Sequence, residues 1–292
     1  MNFKLTPDHE AIIADVKAFA KKEIAPLAAE IDSESKFPAE IIKKMAELRY
    51  MGINIPEEYG GSGLDDVYKV LVVREIAKYC ASTAEILAVQ SLVNDIIIRK
   101  GTEEQKQKYL PMVNEGKLGA FALTEAGAGS DAGAVRTKAI SHGDNYIING
   151  SKCFISNMGP EEGDFVILIA LTDPSAGMKG MSAIIVDRGT PGFSIGKVED
   201  KMGIRGAAVS ELIFEDCVVP KTNLIGKEGE GFKIAMSALD GGRIGIAAQA
   251  LGIAEAAIEA SVEYSKQRNQ FGKPVSALQG IQWYLADMAT RT

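Results

Sequence analysis

A change in the spacing of apolar residues is the feature that most constrains the fold of this chain of 292 residues. Near the N-terminus, apolar residues recur at helical intervals, as at Ile12, Val16 and Phe19. Over 119–225 the pattern becomes a series of short runs rich in β-branched and aromatic residues, separated by Gly, Asp, Asn and Pro. Past Gly226 the helical spacing returns, so the chain reads as helical, then β, then helical.

This order predicts an α+β fold of three domains. We expect an N-terminal helical domain over 1–118, a middle domain like a β-barrel or β-sandwich over 119–225, and a C-terminal helical bundle over 226–292. The last predicted helix reaches Thr292 without a capping Gly or Pro, so we expect the bundle to be incomplete.

Several helix boundaries carry their own signals. Thr6 precedes a proline and predicts an N-cap, and the helix it starts is expected to end near Pro26. A long helical stretch after Asp65 is expected to break near Ser82. Thr102, followed three residues later by a glutamine, predicts a capping box for the next helix.

Composition excludes several classes of function. A formal net charge of −7 argues against a nucleic-acid partner, which needs a broad basic face. The two histidines, His9 and His142, lie in segments that predict solvated side chains, which argues against histidine-based triads and metal sites. The three widely spaced cysteines predict neither a disulfide framework nor a zinc site.

No segment predicts a membrane span or a signal peptide. The apolar run over 166–171 is far too short to cross a bilayer, and the N-terminus lacks the basic-then-apolar order of a signal peptide. We therefore expect a cytoplasmic protein without a membrane partner.

The run TEAGAGSDAG, Thr124 to Gly133, is the densest group of small residues in the chain. Its glycines form GxGxxxG, one residue longer than the dinucleotide fingerprint, and predicted strands follow it instead of a helix. A Rossmann site is therefore excluded. A glycine loop between strands is more often a simple turn, but Thr124, Ser130 and the backbone N–H groups could also approach a flavin and its pyrophosphate closely.

Five stretches in order resemble the acyl-CoA dehydrogenases, and most closely the short-chain, butyryl-CoA type. They are LTEAGAGSDAG (123–133), GSKCFISN (150–157), KMGIRGAAVSELIFEDCVVP (201–220), LDGGRIGIAAQALG (239–252) and YSKQRNQFGKPVSALQGIQ (264–282). The first differs from the usual family loop by having Ala126 in place of a proline. The resemblance implies an FAD enzyme that oxidises an acyl-CoA thioester between its α and β carbons, or reduces the enoyl thioester. It also implies electron transfer to an electron-transferring flavoprotein and a homodimer or homotetramer.

The resemblance also implies a set of binding residues. For the flavin and its pyrophosphate they are Leu123, Thr124, Gly129 and Ser130 in the glycine loop, with Phe154, Ile155 and Ser156 as a second wall. Arg268, Phe271 and Gln279 would reach the FAD of a neighbouring subunit. Ser130, Asp240 and Arg243 would bind the coenzyme A part of the substrate. Without the resemblance, Phe154 and Ser156 would be ordinary strand residues, and Asp240 with Arg243 a surface ion pair.

The catalytic base is not assigned. The resemblance places this glutamate beyond Thr292 in most of the family, and at the position of Gly242 in a minority. We therefore expect a truncated and inactive chain. If a base were present, Glu85, Asp95 and Asp240 would be the first candidates.

Two alternatives and one question remain open. The chain could be another flavin enzyme of the same architecture, such as an acyl-CoA oxidase or an enoyl-CoA reductase, or a non-catalytic binding fragment. The acyl group is not indicated by the sequence. Gln90, Asn94 and Asp95 make one predicted helix polar, which we interpret as a solvated face in slight preference to a site for a functionalised acyl group.

Overall fold

The N-terminal part of the chain is helical, as predicted, and the computed structural model describes residues 4–292. Its helices are α1 Pro7–Phe19, α2 Ala28–Ser33, α3 Ala39–Glu47, α4 Asp66–Ala77, α5 Ala81–Lys100 and α6 Glu103–Val113. The cap at Thr6 is confirmed, because its hydroxyl accepts from the N–H of His9 at 3.2 Å. The capping box of Thr102 and Gln105 is confirmed as well.

Two local expectations for this region were wrong. The chain does not leave the helical path near Pro26, because a π turn (Ala20–Ile24) and a 3-10 turn (Ala25–Leu27) carry it into α2. Pro26 lies in the first turn of that 3-10 segment, where a missing N–H costs nothing. His9 is not simply solvated: its Nδ1 accepts from the N–H of Thr6, and its ring lies 4.4 Å from that of Tyr68. The break between α4 and α5 falls at 78–80, just before the predicted position.

The middle of the chain forms one eight-stranded mixed sheet in the order β6-β7-β3-β2-β4-β5-β8, with β1 parallel to β4. Its strands are β1 Gly119–Ala122, β2 Lys138–His142, β3 Asn145–Ser156, β4 Phe165–Leu171, β5 Met181–Asp187, β6 Phe193–Val198, β7 Val209–Pro220 and β8 Leu224–Ile225. A single residue pair, Lys138 with Leu171, joins the two halves of the sheet.

The sheet has a core on each face, in agreement with a sandwich-like domain. In β4, Phe165 and Ile167 belong to the core shared with the helices, whereas Val166 and Leu168 belong to a second core with residues of β3 and β7. Side chains alternate between faces along a strand, so β4 is buried along its whole length. The helices therefore cover one face of the sheet, and its other half folds over the second face.

The C-terminal part is dominated by one helix, α7, Gly231–Gln267. It packs on α4 and α5, and a Cβ at Gly252 would lie only 2.2 Å from the carbonyl oxygen of Arg74. The chain then makes a short hairpin, β9 Asn269–Gln270 with β10 Lys273–Pro274, and ends in α8, Gln279–Arg291. All residues of α8 are described, and none of them is buried.

Within residues 4–292, two helices, α5 and α7, are long and apolar enough to cross a membrane by length and composition alone. Most of α5 is buried inside the protein, as expected of a core helix. The absence of a membrane partner stays a prediction.

Candidate flavin and thioester site

The glycine loop leaves β1 as a tight turn with an open outer face. The backbone groups of Glu125 and Ala128 exchange hydrogen bonds of 3.2 and 3.0 Å, which closes the turn. Leu123 and Ala128 are buried, whereas Gly129 and Ser130 are exposed. A Cβ added at Gly127 or Gly129 would meet nothing within 4 Å. A planar group or a phosphate can therefore reach the backbone of this loop.

The second predicted wall lies directly beside the glycine loop. The N–H of Cys153, in β3, donates to the carbonyl oxygen of Thr124 at 3.0 Å. The pairing of β3 with β7 shifts between Lys152 and Ile155, and this bulge turns the backbone of Phe154 to a φ of 58°. The fold thus joins the two segments that the sequence predicts to hold the flavin.

The bulge also decides which side chains face outward. Phe154 is 63% exposed, Ile155 is buried at 2%, and Ser156 is half-buried. The 63% exposed ring of Phe154 beside the open glycine loop provides a flat apolar wall, which suits a planar ligand.

A buried ion pair beneath the loop was missed by the sequence analysis. Lys152 is fully buried and donates to the carbonyl oxygen of Leu123 at 2.9 Å and to Glu125 Oε1 at 2.7 Å. Burial opposes ionisation of Glu125, but the ammonium of Lys152, together with hydrogen bonds from Thr137 and Arg136, outweighs burial and lowers the pKa of its carboxyl. The only sequence signal was a lysine between strand residues, a position where charge is rarely buried without a partner.

The predicted coenzyme A residues lie on the exposed side of α7. Arg243 Nη1 lies 2.5 Å from Asp240 Oδ1, and both side chains are at least 70% exposed. The structure therefore shows a surface ion pair, which leaves the predicted role in coenzyme A binding untested. On the inner side of the same turn, a small cavity lies between α4, α5 and α7, lined in part by Lys69, Asp95 and Gly242.

Gly242 allows α7 to approach α5 closely. A Cβ there would lie 2.9 Å from Leu92 Cδ1, so a glutamate at this position would require Leu92 to move. The close approach gives a packing reason for glycine at one of the two positions where the resemblance places the base.

The three carboxylates considered as fallback bases have different surroundings. Asp95 accepts from Lys69 at 2.9 Å and from Asn54 at 2.6 Å, and Asp240 is paired with Arg243. Burial raises the pKa of the Glu85 carboxyl, and hydrogen bonding to Gln249 only partly offsets this. Burial thus moves the pKa of Glu85 in the direction that suits a general base.

The interpretation of the polar part of α5 as a solvated face was wrong for Gln90 and Asn94, which are fully buried. Gln90 donates to Asn94 Oδ1 at 2.8 Å and accepts from the N–H of Gly119 at 2.7 Å. Asn94 donates to the carbonyl oxygen of Met51 at 3.0 Å. These amides join α5 to the start of β1, because buried polar groups require partners.

Arg268, Phe271 and Gln279 lie beyond the far end of α7 and are exposed. The main contacts of α8 and its hairpin are with α7 and the turn Val275–Ala277. The structure does not bring these three residues to the glycine loop of their own chain. Their predicted role in the site of a neighbouring subunit stays a prediction.

Comparison with known proteins decides the family. Family models for the acyl-CoA dehydrogenase N-terminal, middle and C-terminal domains match residues 6–117, 120–217 and 229–292. The chain belongs to the acyl-CoA dehydrogenase family. Over 295 residues it is 57% identical to the acryloyl-CoA reductase (NADH) of Anaerotignum propionicum, and the match covers 100% of this chain and 74% of that relative.

Solved acyl-CoA dehydrogenase structures have the same fold. Butyryl-CoA dehydrogenase from Megasphaera elsdenii superposes with a TM-score of 0.96 at 47% identity, covering 100% of this chain and 77% of that chain. A chain from a structure of the electron transferring flavoprotein of Acidaminococcus fermentans gives a TM-score of 0.97 at 52% identity, with the same coverage. Acyl-CoA dehydrogenases are FAD-dependent oxidoreductases, and the open glycine loop beside the exposed ring of Phe154 fits such a cofactor.

Proposed function

We propose that this protein interconverts short-chain acyl-CoA and enoyl-CoA thioesters. The observation that carries the proposal is the hydrogen bond between Cys153 and Thr124, which places the exposed ring of Phe154 beside a glycine loop with an open backbone. The short-chain preference is supported by the similarity to butyryl-CoA dehydrogenase and acryloyl-CoA reductase.

Different residues of the chain would bind FAD and coenzyme A. The N–H groups around Gly129 and the hydroxyl of Ser130 would hold the FAD pyrophosphate, and Thr124 with Phe154 would hold the ring. Bound FAD supplies the hydride acceptor of the reaction. Asp240 and Arg243 are free to exchange their mutual ion pair for polar groups of coenzyme A, since an exposed pair is worth little on its own.

An absorbance spectrum of the purified protein, before and after acid precipitation, tests the proposal. We expect a flavin spectrum that acid releases into the supernatant, because no covalent attachment is invoked, and a shift of that spectrum when crotonyl-CoA is added. A protein that stays colourless with added FAD would contradict the flavin site. A flavin spectrum that no short-chain thioester perturbs would contradict the substrate class and favour a non-catalytic binding fragment.

Similar proteins support two directions of the reaction, oxidation and reduction. Similarity to acryloyl-CoA reductase favours reduction of a short enoyl thioester, whereas similarity to butyryl-CoA dehydrogenase favours oxidation. The electron partner distinguishes these two directions and the oxidase alternative. Reduction would take electrons from NADH, oxidation would pass them to an electron-transferring flavoprotein, and an oxidase would pass them to dioxygen. We favour the flavoprotein, since a chain similar to this one occurs in a structure of such a protein.

A second copy of the chain is part of the proposal. Arg268, Phe271 and Gln279 are exposed and lie apart from their own glycine loop, so they are available to a neighbour's FAD. Trp283 and Tyr284 of α8 are also largely exposed, which provides apolar surface for such a contact. We therefore propose at least a homodimer.

A further inference from the structure

The loop from Leu123 to Thr137 is tied at both ends to one buried ion pair. At its start, Lys152 donates to the carbonyl oxygen of Leu123 at 2.9 Å. At its end, the carboxylate of Glu125 accepts from the N–H groups of Arg136 at 2.7 Å and Thr137 at 3.0 Å. Lys152 and Glu125 meet at 2.7 Å, with side chains 0% and 10% exposed.

These contacts leave only the tip of the loop unrestrained by the pair. The exposed tip contains Gly127, Gly129 and Ser130, whose outer face is open. Gly150 approaches Thr137 so closely that a Cβ would lie 2.6 Å from its Oγ1, which fixes β3 against the far end of the loop. The ion pair therefore fixes the positions of both ends of the loop, and these ends determine where the tip lies.

A fully buried lysine is an expensive way to stabilise a domain. Replacing a buried ion pair by apolar residues of similar volume is often neutral or stabilising, whereas removal of one partner leaves an uncompensated charge. Since an apolar pair could fill this space, the charges need a reason other than packing. Their hydrogen bonds to the backbone all constrain the loop that approaches the cofactor.

We propose that Glu125 and Lys152 are positioning residues that hold the glycine loop in the shape that binds the FAD pyrophosphate. The inference rests on the proposed function, because it needs FAD to bind this loop. A loop held in its bound conformation binds more tightly, since less conformational freedom is lost on binding. The pair contacts the loop and not the reacting atoms, so it acts through the position of the loop backbone.

The test compares three variants: Lys152→Met, Glu125→Gln, and the double variant carrying both changes. For each, the dissociation constant for FAD is measured by titrating FAD-free protein, alongside the melting temperature without FAD. Hydrogen exchange of the backbone amides between Thr124 and Asp131 reports the order of the loop. We expect each single variant to bind FAD at least about tenfold more weakly and to exchange faster in the loop.

The double variant separates positioning from simple charge compensation. With both charges gone, its melting temperature is expected to recover toward that of the wild type. Its FAD affinity and loop exchange are expected to stay impaired, because the lysine that holds Leu123 is still absent. Recovery of FAD affinity together with stability would overturn the proposal, as would single variants with unchanged FAD affinity.

A matched control comes from a second ion pair between distant parts of the chain. Arg74 on α4 lies 3.0 Å from Glu255 on α7, with both side chains about a quarter exposed. Arg74→Met is expected to lower the melting temperature without changing the loop exchange or the FAD dissociation constant. Equal FAD weakening in this control would overturn the positioning role. Failure of the wild type itself to bind FAD would instead contradict the proposed function.

Discussion

At the residue scale, two glycines of the loop after β1 have backbone conformations that other residues can adopt. A Cβ at Gly127 or Gly129 would have no neighbour within 4 Å, and neither residue has a positive φ, so nothing in the fold of the free protein requires glycine there. We therefore attribute the two glycines to a ligand that approaches the loop from outside. Because the loop is exposed, its own sequence is equally compatible with a simple turn. The neighbouring ring of Phe154 is the feature that indicates a ligand site.

We predict that Gly129→Val weakens FAD binding without destabilising the FAD-free protein. The change in the free energy of unfolding should stay within about 0.5 kcal/mol, as for other exposed sites. The dissociation constant for FAD should rise about tenfold or more, which corresponds to about 1.4 kcal/mol, because the side chain fills the space of the cofactor. Denaturant unfolding and FAD titration measure the two quantities. Gly203→Val, also in open space, is the control and should change neither; unchanged FAD affinity in Gly129→Val would contradict the site.

At the element scale, the contact between α5 and β1 depends on a buried amide network. Gln90 accepts from the N–H of Gly119, the first residue of the strand that leads into the glycine loop. Gln90→Leu should lower the free energy of unfolding by about 1–3 kcal/mol, because it leaves that buried N–H unpaired. The ratio of affinities for butyryl-CoA and octanoyl-CoA should not change, since the amide is used inside the protein. Exposed Gln107→Leu is the control; a changed ratio would return Gln90 to the acyl site.

The same elements show what the sequence could predict. The β-rich middle of the chain and the caps at Thr6 and Thr102 follow from local spacing and local hydrogen bonds, so they could be predicted. The pairing of Gln90 with Gly119 and of Lys152 with Glu125 joins residues far apart in the chain, and polarity alone suggested solvent at Gln90. The bulge at Phe154 depends on a register shift between β3 and β7. The local sequence from Phe154 to Ser156 does not reveal this shift.

At the scale of the whole molecule, the residues after α7 are proposed to serve the FAD site of a second copy. We predict that Arg268→Ala weakens FAD retention and dimer formation together, since Arg268 is exposed and separated from its own glycine loop. Loss of a charge-assisted contact should cost about 1.5–3 kcal/mol. Analytical ultracentrifugation and FAD titration measure the two effects. Lys266→Ala removes a nearby exposed cation as the control. Full FAD affinity in a dissociated Arg268→Ala protein would contradict the cross-subunit role.

The last prediction separates ligand binding from proton removal: the proposed reaction needs a base, and the resemblance places that glutamate outside residues 1–292 in most of the family. An α-proton of a thioester is weakly acidic, so its removal needs a desolvated carboxylate held against it. Asp95 is bound by Lys69 and Asn54, and Leu92 occupies the space beside Gly242. The side chain of Asp240 is 72% exposed and therefore not desolvated. Glu85 is hydrogen-bonded to Gln249, about two turns of α7 beyond Gly242. A polypeptide of these residues, loaded with FAD and mixed anaerobically with excess butyryl-CoA, should therefore keep its oxidised flavin band for minutes. Bleaching within seconds would contradict this, and Glu85→Gln would then identify the base, because burial raises the pKa of that carboxyl and the amide cannot accept the proton.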